Sequence, residues 1–297
     1  MERAIFCKSF RDDFSRLSLL IDSWISTNQH LPLLISVPDS DYVLLRETIS
    51  VPANCTIITD ESYVIEGEKF KYGWYQQQVC KLSIYRSGFA DSYLMIDSDS
   101  YFVSPINDNL FYTDKKKNVI ASSIYTKFSP INNSLIDLIK NGNDVPPLFE
   151  KEGSLANFDA MLKEVIFEHE RLQAAGVQSK SDREFYIRKI FSVKKLSVQP
   201  AQIFHSSILT VFSEFLKRYN LNFYDAIRLS PWEYNWYAYF SLSEPNLDIV
   251  GIRSPVLHFA RDSDIEYAKK IGITKKDIEC YFHAVQMAAR HIDTLSF

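Results

Sequence analysis

Glycine is scarce in this chain: eight residues among 297, none of them in a G-x-G-x-x-G or P-loop pattern. The two glycine-dependent phosphate cradles are therefore excluded as simple readings. Cysteine is scarce as well. Cys7, Cys55, Cys80 and Cys280 are scattered among apolar neighbours, with neither zinc spacing nor a disulfide framework, and read as buried thiols of a reducing cytoplasm. No apolar run approaches the roughly 20 residues needed to span a bilayer. The first residues, Met-Glu-Arg-Ala-Ile-Phe-Cys-Lys, lack the layout of a secretory signal and read directly as a strand. Nor is there an excess of positive charge. The balance of 33 basic against 37 acidic side chains, a net charge of −4, leaves no footprint for nucleic acid. The one basic cluster, Lys115–Lys117, reads as a solvated loop after Asp114.

What is present is apolar and aromatic. Hydrophobic residues make up 46% of the chain and aromatics 14%, enough for a large core in one big domain or two intimate ones. Residues 3–7 read as a strand, followed by a helix after Asp12 and Asp13 with apolar Phe14, Leu17, Leu20, Ile21 and Trp24 at helical spacing. A strand over Leu31–Val37, a short helix from Asp41, a strand over Cys55–Thr59 and a helix over Gln76–Ser87 follow. This alternation is the pattern of a doubly wound α/β sheet. Beyond Asn107 the regularity fades. Asn141–Pro147 reads as a turn-rich junction, Phe158–Ala175 as a strong helix, Ser181–Phe191 as a helix leading into a strand at Val193–Val198, and Leu209–Arg218 as an amphipathic helix. Ser230–Phe240 reads as an aromatic helix with Ser230 as N-cap, Pro231 first and Glu233 third. One or two strands over Ile249–Phe259 and terminal helices over Asp264–Ile271 and Thr274–Asp293 complete the reading.

The most informative stretch is Tyr93-Leu-Met-Ile-Asp-Ser-Asp-Ser-Tyr-Phe-Val103. Its apolar run suits a strand buried on both faces of a parallel sheet. Asp97 and Asp99 at its end are costly to bury unless a cation or fixed donors compensate, and hard carboxylate oxygens suit Mg²⁺ or Mn²⁺. An ordinary polar turn after a strand is the alternative. Ligands of open α/β sheets bind at the carboxyl ends of the strands, where Asp39, Asp60, Asp97 and Asp99 are expected to gather.

The order Gly73-Trp-Tyr-Gln-Gln-Gln78, Lys81-Leu82, the Asp97-Ser98-Asp99 strand and Val103-Ser-Pro-Ile106 resembles nucleotide-sugar glycosyltransferases of the GT-A fold. The Lys-Leu and Asp-x-Asp unit is like that of the glycogenin and lipopolysaccharide galactosyltransferase family (family 8). The Trp-Tyr-x-Gln-Gln start and the later Ser-Pro-Trp-Glu-Tyr are closer to a bacterial DUF6492-like group associated with capsule and surface polysaccharide. The resemblance implies a Rossmann-like, doubly wound mixed sheet with flanking helices and a helical, aromatic C-terminal acceptor region. Residues 1–110 would be the donor-binding half and 111–297 the acceptor-binding, capping half of the same compact domain.

The implied activity is metal-dependent transfer of a sugar from a nucleotide donor, a UDP-sugar first, to a glycan or lipid-linked acceptor, in the cytoplasm or peripherally at the inner face of the membrane. Asp97, Asp99 and His258 would hold Mn²⁺ or Mg²⁺ against the donor diphosphate. Lys81 would contact the donor phosphate or sugar, or simply neutralise Asp97. Gln77 and Gln78 would reach the sugar hydroxyls or form a solvated helix face, and Lys8, Ser9 and Asp12, with Asp39 or Asp60, would recognise the donor base. Glu233 would be the general base, although its spacing from Ser230 equally fits a capping box. Trp74 and Tyr75 either stack on a sugar or fill the core, and His205 is a weaker candidate. The middle Ser98, and Ala260-Arg261-Asp262 after His-Phe, depart from the glycogenin-like pattern. The other classes weighed are a haloacid-dehalogenase-type phosphatase, whose Asp-x-Asp would lie on the first strand, and a degenerate, non-catalytic sugar-binding protein.

Overall fold

The computed structural model describes residues 1–65, 70, 73–122, 158–177, 201–259, 262–270 and 272–287. The expected junction at 141–147, and the helix and strand expected over 181–198, lie outside these residues. Strands β1 (Arg3–Lys8), β2 (Leu33–Val37), β3 (Cys55–Thr59) and β4 (Ser92–Asp97) form a sheet in the order β3-β2-β1-β4, all parallel, and β8 (Ile203–His205) closes the β4 edge antiparallel. Helices α1 (Phe14–Ser26), α2 (Asp39–Thr48) and α3 (Gly73–Ser83) connect the parallel strands.

Alternation along the strands explains why the sheet is covered on both faces. Ala4 and Phe6 of β1, Leu34 of β2, and Tyr93 and Met95 of β4 enter one core with Tyr75, Val79 and Leu82 of α3. Ile5 and Cys7, Leu33, Ile35 and Val37, and Leu94 and Ile96 enter the other, with Leu17, Leu20, Ile21 and Trp24 of α1. The result is a mixed α/β fold with a mostly parallel five-stranded sheet between helices.

Two smaller sheets extend it. Strands β5 (Ser100–Phe102), β10 (Val256–Phe259) and β11 (Ala284–Met287) associate in the order β10-β11-β5. Strands β6 (Tyr112–Thr113), β7 (Lys116–Ser122) and β9 (Ile249–Arg253) associate in the order β6-β7-β9. The remaining described helices are α4 (Phe158–Ala174), α5 (Ser206–Lys217), α6 (Phe223–Leu229), α7 (Glu233–Ser243), α8 (Asp262–Lys270) and α9 (Lys275–Tyr281). Phe158, Phe212 and Phe240, from α4, α5 and α7, pack in the same core as Phe6 and Tyr93, so both halves of the chain share an interior.

Three expectations change. The last helix does not run from Thr274 to Asp293: it begins after a Thr274–Asp277 capping box and ends at Tyr281, and Ala284–Met287 is a strand. Ala, Gln and Met favour helix locally, but here they fill the gap between β10 and β5, and the ladder bonds on both sides override propensity. The helix expected from Ser230 starts at Glu233, with Trp232 as an N-cap whose side chain makes no cap bond. Lys116 and Lys117, expected in a solvated loop, begin β7, and the turn before them falls on Asp114 and Lys115, both at positive φ.

Candidate active site at the carboxyl edge of the sheet

Parallel order puts the ends of β1, β2, β3 and β4 on one edge. Asp97 closes β4 and is paired in register with Lys8, which closes β1. Lys8 nevertheless turns its ammonium to Asp60, just beyond β3, at 3.1 Å. Asp60 also accepts from the Ser36 hydroxyl, which accepts from Tyr63 at 2.9 Å. Burial pushes the Asp60 carboxyl up, and Lys8 pulls it back. Both charges are spent on each other. Asp39 is exposed, its backbone N–H donating to Glu61, and Asp12 is exposed. The acidic residues do share an edge, but they do not converge on one point.

The centre of the edge is an ionic cluster around Lys81. This residue lies in the last turn of α3, where a cation also suits the helix dipole. Its Nζ donates to Asp97 Oδ1 at 2.6 Å, to Glu233 Oε1 at 2.9 Å and to the Tyr234 hydroxyl at 2.9 Å, which uses all three ammonium protons. Nζ is 4.6 Å from the centre of the Tyr234 ring, so the hydroxyl bond, at the ring's edge, is the contact that matters. Burial alone would lower the Lys81 pKa, but Asp97 and Glu233 overcome it and hold the ammonium charged, well above the usual lysine range. Glu233 is shifted upward by its burial, with Lys81 opposing.

Glu233 is not a capping-box residue. Its carboxylate bonds Lys81, while Ser230 O accepts from Trp236 Nε1. Gln78 supplies the cap instead, its Oε1 accepting from Glu233 N at 3.3 Å. Gln78, expected to reach sugar hydroxyls, is a buried support for the base candidate. Gln77 is half-buried on the next position of α3. Tyr75 is core, against Phe70, whereas Trp74 is half-buried with its ring edge-on to Trp232 at 5.3 Å. His205 is structural: its Nδ1 is 2.8 Å from Ser92 Oγ and its Nε2 2.9 Å from the Asn118 carbonyl, and burial lowers its pKa to about 4.

Asp97 has both oxygens occupied, Oδ2 accepting from Gln286 Nε2 at 3.0 Å. Asp99 does not. Its Oδ1 is buried without a hydrogen-bond partner, and burial beside Asp97 pushes the carboxyl up to about 7. Ser98 ties the turn to α1 by donating to Asp13 Oδ2 at 3.2 Å. The expected ligand set of Asp97, Asp99 and His258 is not assembled: among the described residues no three His, Cys, Asp or Glu side chains are grouped to hold a metal. Lys81 and Gln286 engage Asp97, and Gln286 stands between His258 and Ser100 in the β10-β11-β5 sheet.

Sequence reasoning missed Asp13 as a member of this edge, Tyr234 as a ligand of Lys81, and Gln286. Asp13 and Tyr234 could have been found as polar neighbours of chosen residues. Gln286 carried no signal, because its segment reads as helix. The described pocket lined by Trp24, Asn28, Gln29 and Asn54 lies at the opposite end of the sheet, where β3 begins.

The fold and edge define a mixed α/β protein with a carboxylate-bearing strand end. Residues 4–126, which include Lys8, Lys81, Asp97 and Asp99, match the model of a family of unknown function (DUF6492). No curated protein matches the chain. Among the described residues no helix is long and apolar enough to cross a membrane.

Proposed function

We propose that this protein is a GT-A-type glycosyltransferase that moves a sugar from a nucleoside diphosphate donor, a UDP-sugar first, to a glycan or lipid-linked acceptor in surface-polysaccharide synthesis. The observation that carries the reading is Asp99: an acceptor oxygen buried without a partner at the carboxyl end of a parallel strand, beside a second carboxylate. Such an atom fits Mn²⁺ or Mg²⁺ in the chemistry of its donors. A preformed cage of protein ligands is not required, because Mg²⁺ is commonly held by one or two carboxylates plus substrate phosphates. Asp99 would hold the ion, with Asp97 adjacent; bound there, it would neutralise charge on the departing nucleoside diphosphate.

The chain's own residues do the rest. Glu233 takes the proton of the acceptor hydroxyl on its carboxylate, and burial, which raises its pKa, makes it a better base. Lys81 keeps that carboxylate ionised until the hydroxyl arrives, and Gln78 fixes the start of its helix. Trp74 and Trp232, half-buried beside Glu233, offer apolar ring surface for a sugar.

A second reading, a non-catalytic sugar-binding protein, has one observation in its favour: Lys81 already satisfies both Asp97 and Glu233. The phosphatase reading has none, since Asp97 lies on the fourth strand and is engaged by Lys81 and Gln286.

The test is a thermal-shift panel of UDP, GDP, CMP and TDP with and without Mn²⁺, on wild type and Asp99→Ala, followed by donor-sugar turnover. A ligand at 100-fold over its Kd stabilises by about 2.7 kcal/mol. An Mn²⁺-dependent shift for one nucleoside diphosphate, lost in Asp99→Ala, together with turnover, supports transfer. Binding without turnover favours the non-catalytic reading, and no shift with any nucleotide removes the donor site.

A further inference from the structure

Three oxygens beside the Asp-Ser-Asp turn are buried without a hydrogen-bond partner: Asp99 Oδ1, Ser100 Oγ and Gln286 Oε1. Buried polar atoms are nearly always paired, so three such oxygens in one place need an explanation. Ser100 is 1% and Gln286 5% exposed.

Register brings them together. Gln286 of β11 pairs with Ser100 of antiparallel β5 and with His258 of parallel β10, so these three side chains form one row on one face of the small sheet. One repeat along that face, Val256, Ala284 and Phe102 pack into the core under α1. On the other face Leu257, Val285 and Met287 pack in a separate cluster with Ile265 and Ile278 of α8 and α9. Met287 N donates to the Asp99 carbonyl at 3.1 Å and fixes the turn against β11. Gln286 also hydrogen-bonds the Asp99 carboxylate, which puts that carboxylate beside the row.

The Gln286 amide has a defined orientation. Its nitrogen donates to Asp97 Oδ2 at 3.0 Å and is also directed at the Asp99 carboxylate, so the carbonyl oxygen is the atom left over. Once Asp99 is ionised the orphans cannot satisfy one another: its Oδ1 and Gln286 Oε1 then only accept, and the single Ser100 proton can serve one of them at most. A carboxylate, a hydroxyl and an amide carbonyl are hard oxygen donors of the kind that divalent cations take.

We infer that Asp99, Ser100 and Gln286 form an oxygen-donor site for a divalent cation, with Gln286 Oε1, not His258, as the ligand supplied by the C-terminal part of the chain. His258 lies two strands from Ser100, about 10 Å at ordinary strand spacing, with Gln286 between them. The inference deepens the glycosyl-transfer reading and rests on it for the cation's role against a diphosphate; the site itself stands on the three oxygens.

The experiment is calorimetric titration of the full chain with Mn²⁺ alone, checked by loss of the free-ion paramagnetic resonance signal. Wild type binds Mn²⁺ stoichiometrically. Ser100→Ala removes a hydroxyl that has no hydrogen-bond partner, so the metal-free melting temperature holds, yet Mn²⁺ affinity falls about tenfold. Gln286→Met lowers affinity at least as much, and His258→Ala leaves it unchanged. The inference is overturned if wild type does not bind Mn²⁺, or if Ser100→Ala and Gln286→Met bind it as wild type does, the result expected if water fills the site. Loss of binding in His258→Ala alone also overturns it. Nucleotide binding is read separately. A protein that binds a nucleoside diphosphate but ignores Mn²⁺ keeps the transfer reading and loses this site; Ser100-dependent Mn²⁺ binding without any nucleotide binding does the reverse.

Discussion

Lys81 and Glu233 stand 152 residues apart in the chain and meet in its interior, Nζ donating to Oε1 at 2.9 Å with each residue 3% exposed. A buried ion pair is weak evidence of stabilisation, because desolvation offsets most of the attraction; removing one partner is what is costly. Here one ammonium compensates two carboxylates, Asp97 and Glu233, and it joins the end of β4 to the start of α7.

Lys81→Met is therefore expected to lower unfolding free energy by about 3–5 kcal/mol, read from the urea midpoint. Adding Glu233→Met should recover part of the loss, because it removes one of the stranded charges. A Lys81→Met protein as stable as wild type would show that the cluster is hydrated in solution.

Glu233→Gln retains an oxygen that accepts from Lys81 but cannot take a proton. Stability and nucleoside diphosphate binding should stay near wild type, while sugar transfer falls about 10²- to 10⁴-fold. Single-turnover assays with saturating donor check this, and an unchanged rate would strip Glu233 of the base role.

His205 governs an acid-side stability change. Its folded pKa, about 4, lies below the ordinary 6.5, because burial disfavours the imidazolium. The unfolded state thus binds the proton more readily. Stability is fully present above pH 6.5 and is lost as pH falls toward 4, by a few kcal/mol in all. His258 and His283 are shifted in the same direction, so the comparison needed is wild type against His205→Gln. The variant should show a shallower decline of unfolding free energy between pH 7 and 4.

Thiol reactivity separates the cysteines. Cys280 is exposed, while Cys7, Cys55 and Cys80 are buried, and burial raises their pKa values, that of Cys55 to about 12. A disulfide reagent at neutral pH should modify Cys280 in the native protein and the other three only on unfolding. Rapid native labelling of Cys80 would contradict the packing of α3.

The first half of the fold was legible because its signals are local. Phe14, Leu17, Leu20, Ile21 and Trp24 mark a helical face, and α1 buries those positions; Cys55–Thr59 reads as a strand and is one. The Asp97–Asp99 turn was legible for the same reason. Glu233 was only half legible, since its spacing from Ser230 satisfied a capping rule that the backbone does not use. Gln286 was not legible, because a helix-favouring segment became a strand through pairing with residues about 30 and 185 positions away.

By itself, then, the sequence determined the alternating α/β order, the paired carboxylates at a strand end and the absence of glycine-rich phosphate loops. Those are properties of periodicity and composition, written within a few turns of chain. Only the tertiary structure decided which charges are spent and which are left over. Lys8 goes to Asp60, Lys81 to Asp97 and Glu233, Gln286 to Asp97, and Asp99 keeps an oxygen without a partner. Hydrogen bonds and ion pairs saturate, so the availability of one carboxylate depends on what every distant neighbour has already taken.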